Sequence, residues 1–99
     1  MKAFKQILCV DLKSRLEKGE NILLIDVREA YEHDTFHIPG SLLIPLAELP
    51  GRIDELATHK EDAIVVYCKA GVRSHMACQI LAGHGFINLA NLADGILAW

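Results

Sequence analysis

The stretch AIVVYCKAGVRS, residues 63–74, decides the architecture. It opens as an uncharged run rich in Ile and Val, the composition of a strand buried on both faces of a parallel sheet. At Cys68 the character changes to a thiol followed by Lys69, Gly71 and Arg73, with no acid among them. Met76, Ala77, Ile80 and Leu81 then repeat at helical spacing up to Gly83, so a helix beginning near Arg73 or Ser74 follows the strand. The same alternation extends in both directions. ILLID (22–26) is a second buried-strand run, SLLIP (41–45) supplies a short strand, and INLANL (87–92) a last one. Leu12 and Leu16 before Gly19, and Ile53 and Leu56 after the Pro50–Gly51 break, mark helices between them. Strands alternating with helices predict an α/β domain with helices on both faces of its sheet.

Ninety-nine residues, 52% of them hydrophobic, suffice for one core and no second domain, so a single domain is expected over 1–99. A net charge of −3 predicts neither a nucleic-acid partner nor attachment to an anionic membrane, so any cationic site must be local. In MKAFKQILCVDLK (1–13), Lys5, Asp11 and Lys13 interrupt what would otherwise become a signal-peptide core, and no apolar run reaches spanning length. The expectation is a soluble, cytoplasmic protein. Cys9, Cys68 and Cys78 form no CxxC pair, and an odd number cannot all enter internal disulfides, which suits a reducing compartment.

Ligands of parallel α/β sheets collect at the carboxyl ends of the strands. Cys68 stands there, with Asp26 and Arg28 at the end of ILLID on the same edge. A tight loop over residues 68–73 ends at a helix amino terminus, where backbone N–H groups lack helical partners and the helix dipole adds roughly half an elementary charge. Gly71 permits the positive φ that closing such a loop needs. A thiol among those amides, Lys69 and Arg73 should ionise below the ordinary value of about 8.5. A carboxylate beside the loop would repel both thiolate and anionic substrate, which accounts for the missing acid. Cysteines that end core strands are commonly inert; the glycine, the two cations and the helix start together favour the reactive reading.

YCKAGVRS, DVREAYEHDTFHIPGSLLIPL upstream and GFINLANLADGILAW downstream, together spanning about Ile7 to Trp99, resemble a rhodanese-like sulfurtransferase domain of the small single-domain kind. The resemblance implies a three-layer α/β/α fold around a five-stranded, mainly parallel sheet. It implies transfer of a sulfane sulfur from a thiosulfate-like donor, through a Cys68 persulfide, to cyanide, a thiol or a protein acceptor such as a thioredoxin-like one, with no cofactor. Cys68 is then the nucleophile, Lys69, Ala70, Gly71, Val72 and Arg73 the cradle, and Asp26, Arg28 and Ser74 supporting residues. Phosphatases and arsenate reductases sharing this fold place one residue more between cysteine and arginine. The four residues between Cys68 and Arg73 suit a smaller object, the outer sulfur of a persulfide. A non-enzymatic module for partner binding or sulfur delivery is the alternative, and a phosphatase the third reading. Phe36 and Ala93 depart from the family pattern where glycine and glutamate are common, and the resemblance implies a short continuation past Trp99.

Other candidates carry less. Asp26, Arg28, Glu29 and Glu32 could suggest acid–base chemistry, but Asp26 and Arg28 are better read as an ion pair anchoring the loop edge. His33 and His37 have a metal-like spacing, yet Thr35 and Pro39 argue against a stable helix and no third ligand stands near, so they are read as solvent-facing or turn-capping. His75 is read as a solvated first-turn residue. Cys78, about 15 Å from Cys68 along a helix, is unsuited to a resolving role, and Cys9 reads as a small packed residue. Leu8 leaves the first helix without the usual serine or aspartate cap. Trp99 is read as covering the edge of the core.

Overall fold

The computed structural model describes residues 4–99. Five strands, β1 (Phe4–Ile7), β2 (Leu23–Asp26), β3 (Leu42–Leu43), β4 (Ile64–Tyr67) and β5 (Leu89–Leu92), form one all-parallel sheet in the order β1-β5-β4-β2-β3. Helices α1 (Cys9–Glu17), α2 (Ala30–Thr35) and α3 (Val72–Gly83) and a 3₁₀ segment (Leu46–His59) connect them, and a 3₁₀ turn (Ile96–Ala98) follows β5.

β4 lies at the centre of the sheet and is buried at all four positions, which is why its sequence is apolar without alternation. Its side chains still alternate in space. Ile64, Val66 and Cys68 join Leu49, Ile53 and Leu56 of the 3₁₀ segment and Ala77, Cys78 and Leu81 of α3 in one core. Val65 and Tyr67 join Leu12, Leu24, Ile38 and Leu92 in a second core, covered by α1 and edged by Trp99. Full burial of each large aliphatic side chain contributes on the order of 2 kcal/mol, so both cores are needed to hold the central strand.

Three local features differ from the pattern reading. β1 was not legible as a strand: it is an edge strand paired only with β5, Lys5 and Gln6 are exposed, and of its four residues Ile7 alone is buried. The Pro50–Gly51 pair does not break the segment it lies in. The 3₁₀ path carries both residues on its exposed side while turning Leu49, Ile53 and Leu56 inward. Helix α3 starts at Val72 rather than at Arg73 or Ser74, because Gly71 at φ 91° turns the chain into it one residue earlier. The amino end of α1 has no side-chain cap from Leu8; the carboxylate of Asp94 accepts the Cys9 N–H at 3.0 Å instead.

At the ends of β2 and β4 a buried polar cluster fixes the loop geometry. Asp26 is wholly buried and accepts the Arg28 backbone N–H, Arg28 Nε and Nη2, and a bond from His33 Nδ1 at 2.9 Å. Arg28 also donates to the Phe36 carbonyl at 2.7 Å and lies over the Tyr67 ring. Burial pushes the Asp26 carboxyl up, but its bonds from Arg28 and His33 outweigh it and hold the group below the ordinary carboxylate value. His33 is therefore half-buried and anchored on Asp26 rather than solvent-facing, while His37, stacked on it at 3.8 Å, caps the turn after α2 by bonding from Nδ1 to the His33 carbonyl at 2.8 Å. Asp26→Asn removes the charge but leaves Arg28 buried, and is expected to cost about 3–5 kcal/mol in chemical denaturation. Because the folded carboxyl is depressed, its contribution to stability is fully present above about pH 4 and is lost as the pH falls through the folded value. The Asp26→Asn chain should therefore show a flatter stability curve below about pH 4; an unchanged acid slope would refute this assignment. No helix among the described residues is long and apolar enough to cross a membrane.

Candidate active site

Cys68 follows the last residue of β4, and Gly71 precedes α3, so the intervening loop folds back over the thiol. The Gly71 N–H donates to Cys68 Sγ at 3.1 Å and the Ser74 N–H at 3.4 Å, and Ser74 Oγ lies 3.3 Å away. The residue is only 1% exposed, so its thiol lies covered beneath the loop. Asp26 and Arg28 do lie at this edge of the sheet. By strand alternation, however, Asp26 faces the Tyr67 core while Cys68 faces the α3 core. Their pair supports the rim from the opposite face and does not touch the sulfur.

Beside the loop runs an open groove of about 500 Å³, lined by Arg28, Tyr31, Glu32, Phe36, Lys69 and Leu97 among others. Tyr31, Phe36 and Leu97 are more than half exposed in it. The expectation that no acid stands near the loop is overturned here. Glu32, from α2, receives Arg73 Nη1 at 2.7 Å and Nη2 at 3.1 Å in a two-pronged ion pair. Folding brings the acid from 41 positions upstream, so the loop's own sequence gave no sign of it. Lys69 is exposed and makes no ion pair among the described residues.

The family model of the rhodanese-like domain matches residues 9–99. The chain belongs to that family. A protein named sulfurtransferase from Allochromatium vinosum is 38% identical over 88 residues, 89% of this chain and 80% of its own length. A rhodanese-like domain protein from Staphylococcus aureus superposes with a TM-score of 0.85 at 31% identity, over 96% of this chain and 90% of that one. The human single-domain sulfurtransferase TSTD1 does so with a TM-score of 0.81 at 28% identity, over 95% and 93%. Some other relatives are longer, and the chain spans less than half of their length.

Within this rhodanese-like domain the three thiols have opposite electrostatics. Burial pushes Cys78 up to about 12, and burial together with Asp94 pushes Cys9 up to about 11. Burial acts on Cys68 in the same direction, but the Ser74 hydroxyl and the amides of Ser74, Ala70 and Gly71 outweigh it and bring the thiol below its ordinary value. Lys69 and Val72 point outward and are exposed, so from those two positions the loop contributes backbone path rather than contacts to Sγ. His75 is half-buried, its ring edge-on to Phe4 at 5.1 Å, instead of solvated.

Two supporting positions escaped the sequence reading. Asn91 is buried in β5. Its Nδ2 donates to Gln6 Oε1 and the Gly71 carbonyl, which aims Oδ1 at the Ser74 hydroxyl. Ser74 has one hydroxyl proton: with a neutral thiol it goes to Asn91 and the S–H bonds Ser74 Oγ, whereas with a thiolate it turns to sulfur. A polar residue amid the apolar run INLANL was the available signal. Gly95 is the second. The Ile96 N–H donates to the Cys68 carbonyl at 2.9 Å and the Leu97 N–H to the Lys69 carbonyl at 3.3 Å, so residues 95–97 form the loop's backing.

Ser74→Ala removes the side-chain hydroxyl that bonds Cys68 Sγ and should raise the thiol's pKa. The pH profile of alkylation by iodoacetamide is then expected to shift upward, slowing alkylation several-fold at low pH and converging with the parent once both thiols are ionised. A profile that stays in place would remove Ser74 from the thiolate's support.

Proposed function

We propose that the chain moves sulfane sulfur through a persulfide on Cys68, with Lys69, Ala70, Gly71, Val72 and Arg73 forming the cradle and Ser74 holding the thiolate. The observation that carries this reading is the convergence of the Gly71 and Ser74 amides on one buried sulfur, at the end of the central strand and the start of a helix. In the first step the Cys68 thiolate attacks the outer sulfur of a donor such as thiosulfate. The donor's S–S bond breaks, its electron pair leaves on sulfite, and the enzyme holds a persulfide anion. In the second step an acceptor nucleophile takes the outer sulfur, and the electron pair of the enzyme's S–S bond restores the thiolate. The amides that stabilise a thiolate serve the persulfide equally, since the negative charge is retained on sulfur at the same helix end. No general base is needed when the nucleophile is already ionised.

The exposed Tyr31, Phe36 and Leu97 beside the mouth favour an organic thiol or a protein segment over cyanide as the working acceptor. Three cysteines without a disulfide suit a reducing compartment such as the cytoplasm. The test is intact-protein and peptide mass spectrometry after exposure to thiosulfate. One added sulfur on Cys68, released by cyanide as thiocyanate, is the expected result. Turnover of an aryl phosphate with no persulfide formed would replace this reading with a phosphatase, and neither reaction would leave a binding module.

A further inference from the structure

The Glu32–Arg73 pair has a chemical cost for a site meant to receive anions. Both guanidinium Nη atoms are bound by one carboxylate, Glu32 Oε1 also accepts the Glu29 N–H at 2.9 Å, and the acid is thereby held in place from two sides. Bonding to Arg73 brings the Glu32 carboxyl down to about 2, so it stays ionised throughout the neutral range. Arg28 is occupied by Asp26, and Glu29 adds a further negative charge that Arg73 feels. Lys69 is the cation of the mouth left without an ion pair among the described residues.

We propose that Glu32 is a specificity-determining residue of sulfur loading: its carboxylate withholds Arg73 from incoming anions and biases the site toward sulfane-sulfur donors with at most one negative charge near the transferred atom, and against dianions such as thiosulfate. The proposal rests on the reading of Cys68 as the sulfur acceptor. Persulfides of organic thiols and of protein cysteines belong to the favoured class, and their apolar portions match the groove formed by Tyr31, Phe36 and Leu97. Glu32 acts through Arg73 and does not meet the sulfur itself, so its effect should depend on donor charge rather than on the bond being broken.

Thiosulfate and methanethiosulfonate separate these. In both, the Cys68 thiolate attacks a terminal sulfur, an S–S bond breaks, and the electron pair leaves on sulfite or on methanesulfinate; the first donor carries two negative charges and the second one. Coulomb energy scales with the product of charges, so the logarithm of the gain on neutralising Glu32 should be twice as large for the dianion. At low ionic strength Glu32→Gln is expected to raise the second-order rate of persulfide formation roughly tenfold with thiosulfate and about threefold with methanethiosulfonate, both gains shrinking with added salt. Glu32→Asp, which keeps the charge, should hold the parent ratio of the two rates. Equal changes for the two donors, no change, or a Glu32→Asp ratio matching that of Glu32→Gln would each overturn the proposal, since loss of loop packing affects both donors alike. Cys68→Ser tells the two failures apart. If that chain still loads sulfur, the Cys68 reading falls and takes this proposal with it; if it is inert while the donor ratio is unmoved by Glu32→Gln, only the role of Glu32 falls.

Discussion

A Cys68→Ser chain is expected to gain no sulfur from thiosulfate, a loss of at least about 10³-fold in loading, while remaining folded. The two halves of that expectation have different causes. A serine hydroxyl does not ionise in the range where a cradled thiol does, and its oxygen cannot carry a stable sulfane sulfur, so the chemistry stops. The Gly71 and Ser74 amides can nonetheless donate to oxygen as they do to sulfur, and Ser74 Oγ remains a partner, so no buried polar group is orphaned. Thermal unfolding should therefore stay within about 1 kcal/mol of the parent. Sulfur found on Cys9 or Cys78 instead, both with thiols raised by burial, would end the assignment. So would loading by the serine chain within tenfold of the parent.

The second large effect lies outside the loop. At Gly95 the backbone has φ 67° and ψ −179°, a combination open in practice to glycine alone. A Cβ there would collide with the Lys69 carbonyl oxygen and stand 2.5 Å from its carbon and 2.7 Å from Ala70 Cα. These are backbone atoms of the cradle, pinned by the Ile96 and Leu97 amides, so they cannot yield as a side-chain tip would. Gly95→Ala should cost at least about 3 kcal/mol, or roughly 12–24 °C in Tm for a domain of this size. It should also depress sulfur loading by disturbing the amides that face Cys68. Gly19→Ala provides the comparison. Gly19 also has positive φ, at 81°, but a Cβ there meets nothing within 4 Å, so its cost should stop near about 1 kcal/mol. Comparable losses in the two variants would show that conformational strain alone, without the collision, is responsible.

The fold was largely legible because its signals are local. The full burial of β4, and of β2 beyond Leu23, writes an apolar run directly into the chain, and the spacing of Ala77 and Leu81 marks the inner face of α3. β1 escaped because an edge strand with one buried residue in four, Ile7, has almost no pattern to read. The path of the loop was legible for the same local reason: a strand end, a glycine and a helix start bring free amides together beside Cys68. What lay beyond reach were the residues that arrive from elsewhere. Glu32, Asn91, Asp94 and Gly95 meet the loop or its neighbours only after folding, and no spacing rule links an acid on α2 to an arginine on α3. The inference from a missing acid to an unopposed positive loop failed on that account. Sequence shows which charges are adjacent along the chain, whereas the field at a site sums charges adjacent in space.

Residues 94–97 cap α1 through Asp94, hold the Cys9 thiol through the Gly95 carbonyl, and bind the carbonyls of Cys68 and Lys69. Cys68 precedes this segment in the chain, so during synthesis its thiol emerges before the backbone that buttresses its loop. Until that segment docks, the amides have no fixed aim and the sulfur keeps the modest reactivity of any free cysteine. The depressed thiol is thus a property of the assembled domain, and Cys68 in a partly folded chain is expected to react no faster than an ordinary cysteine.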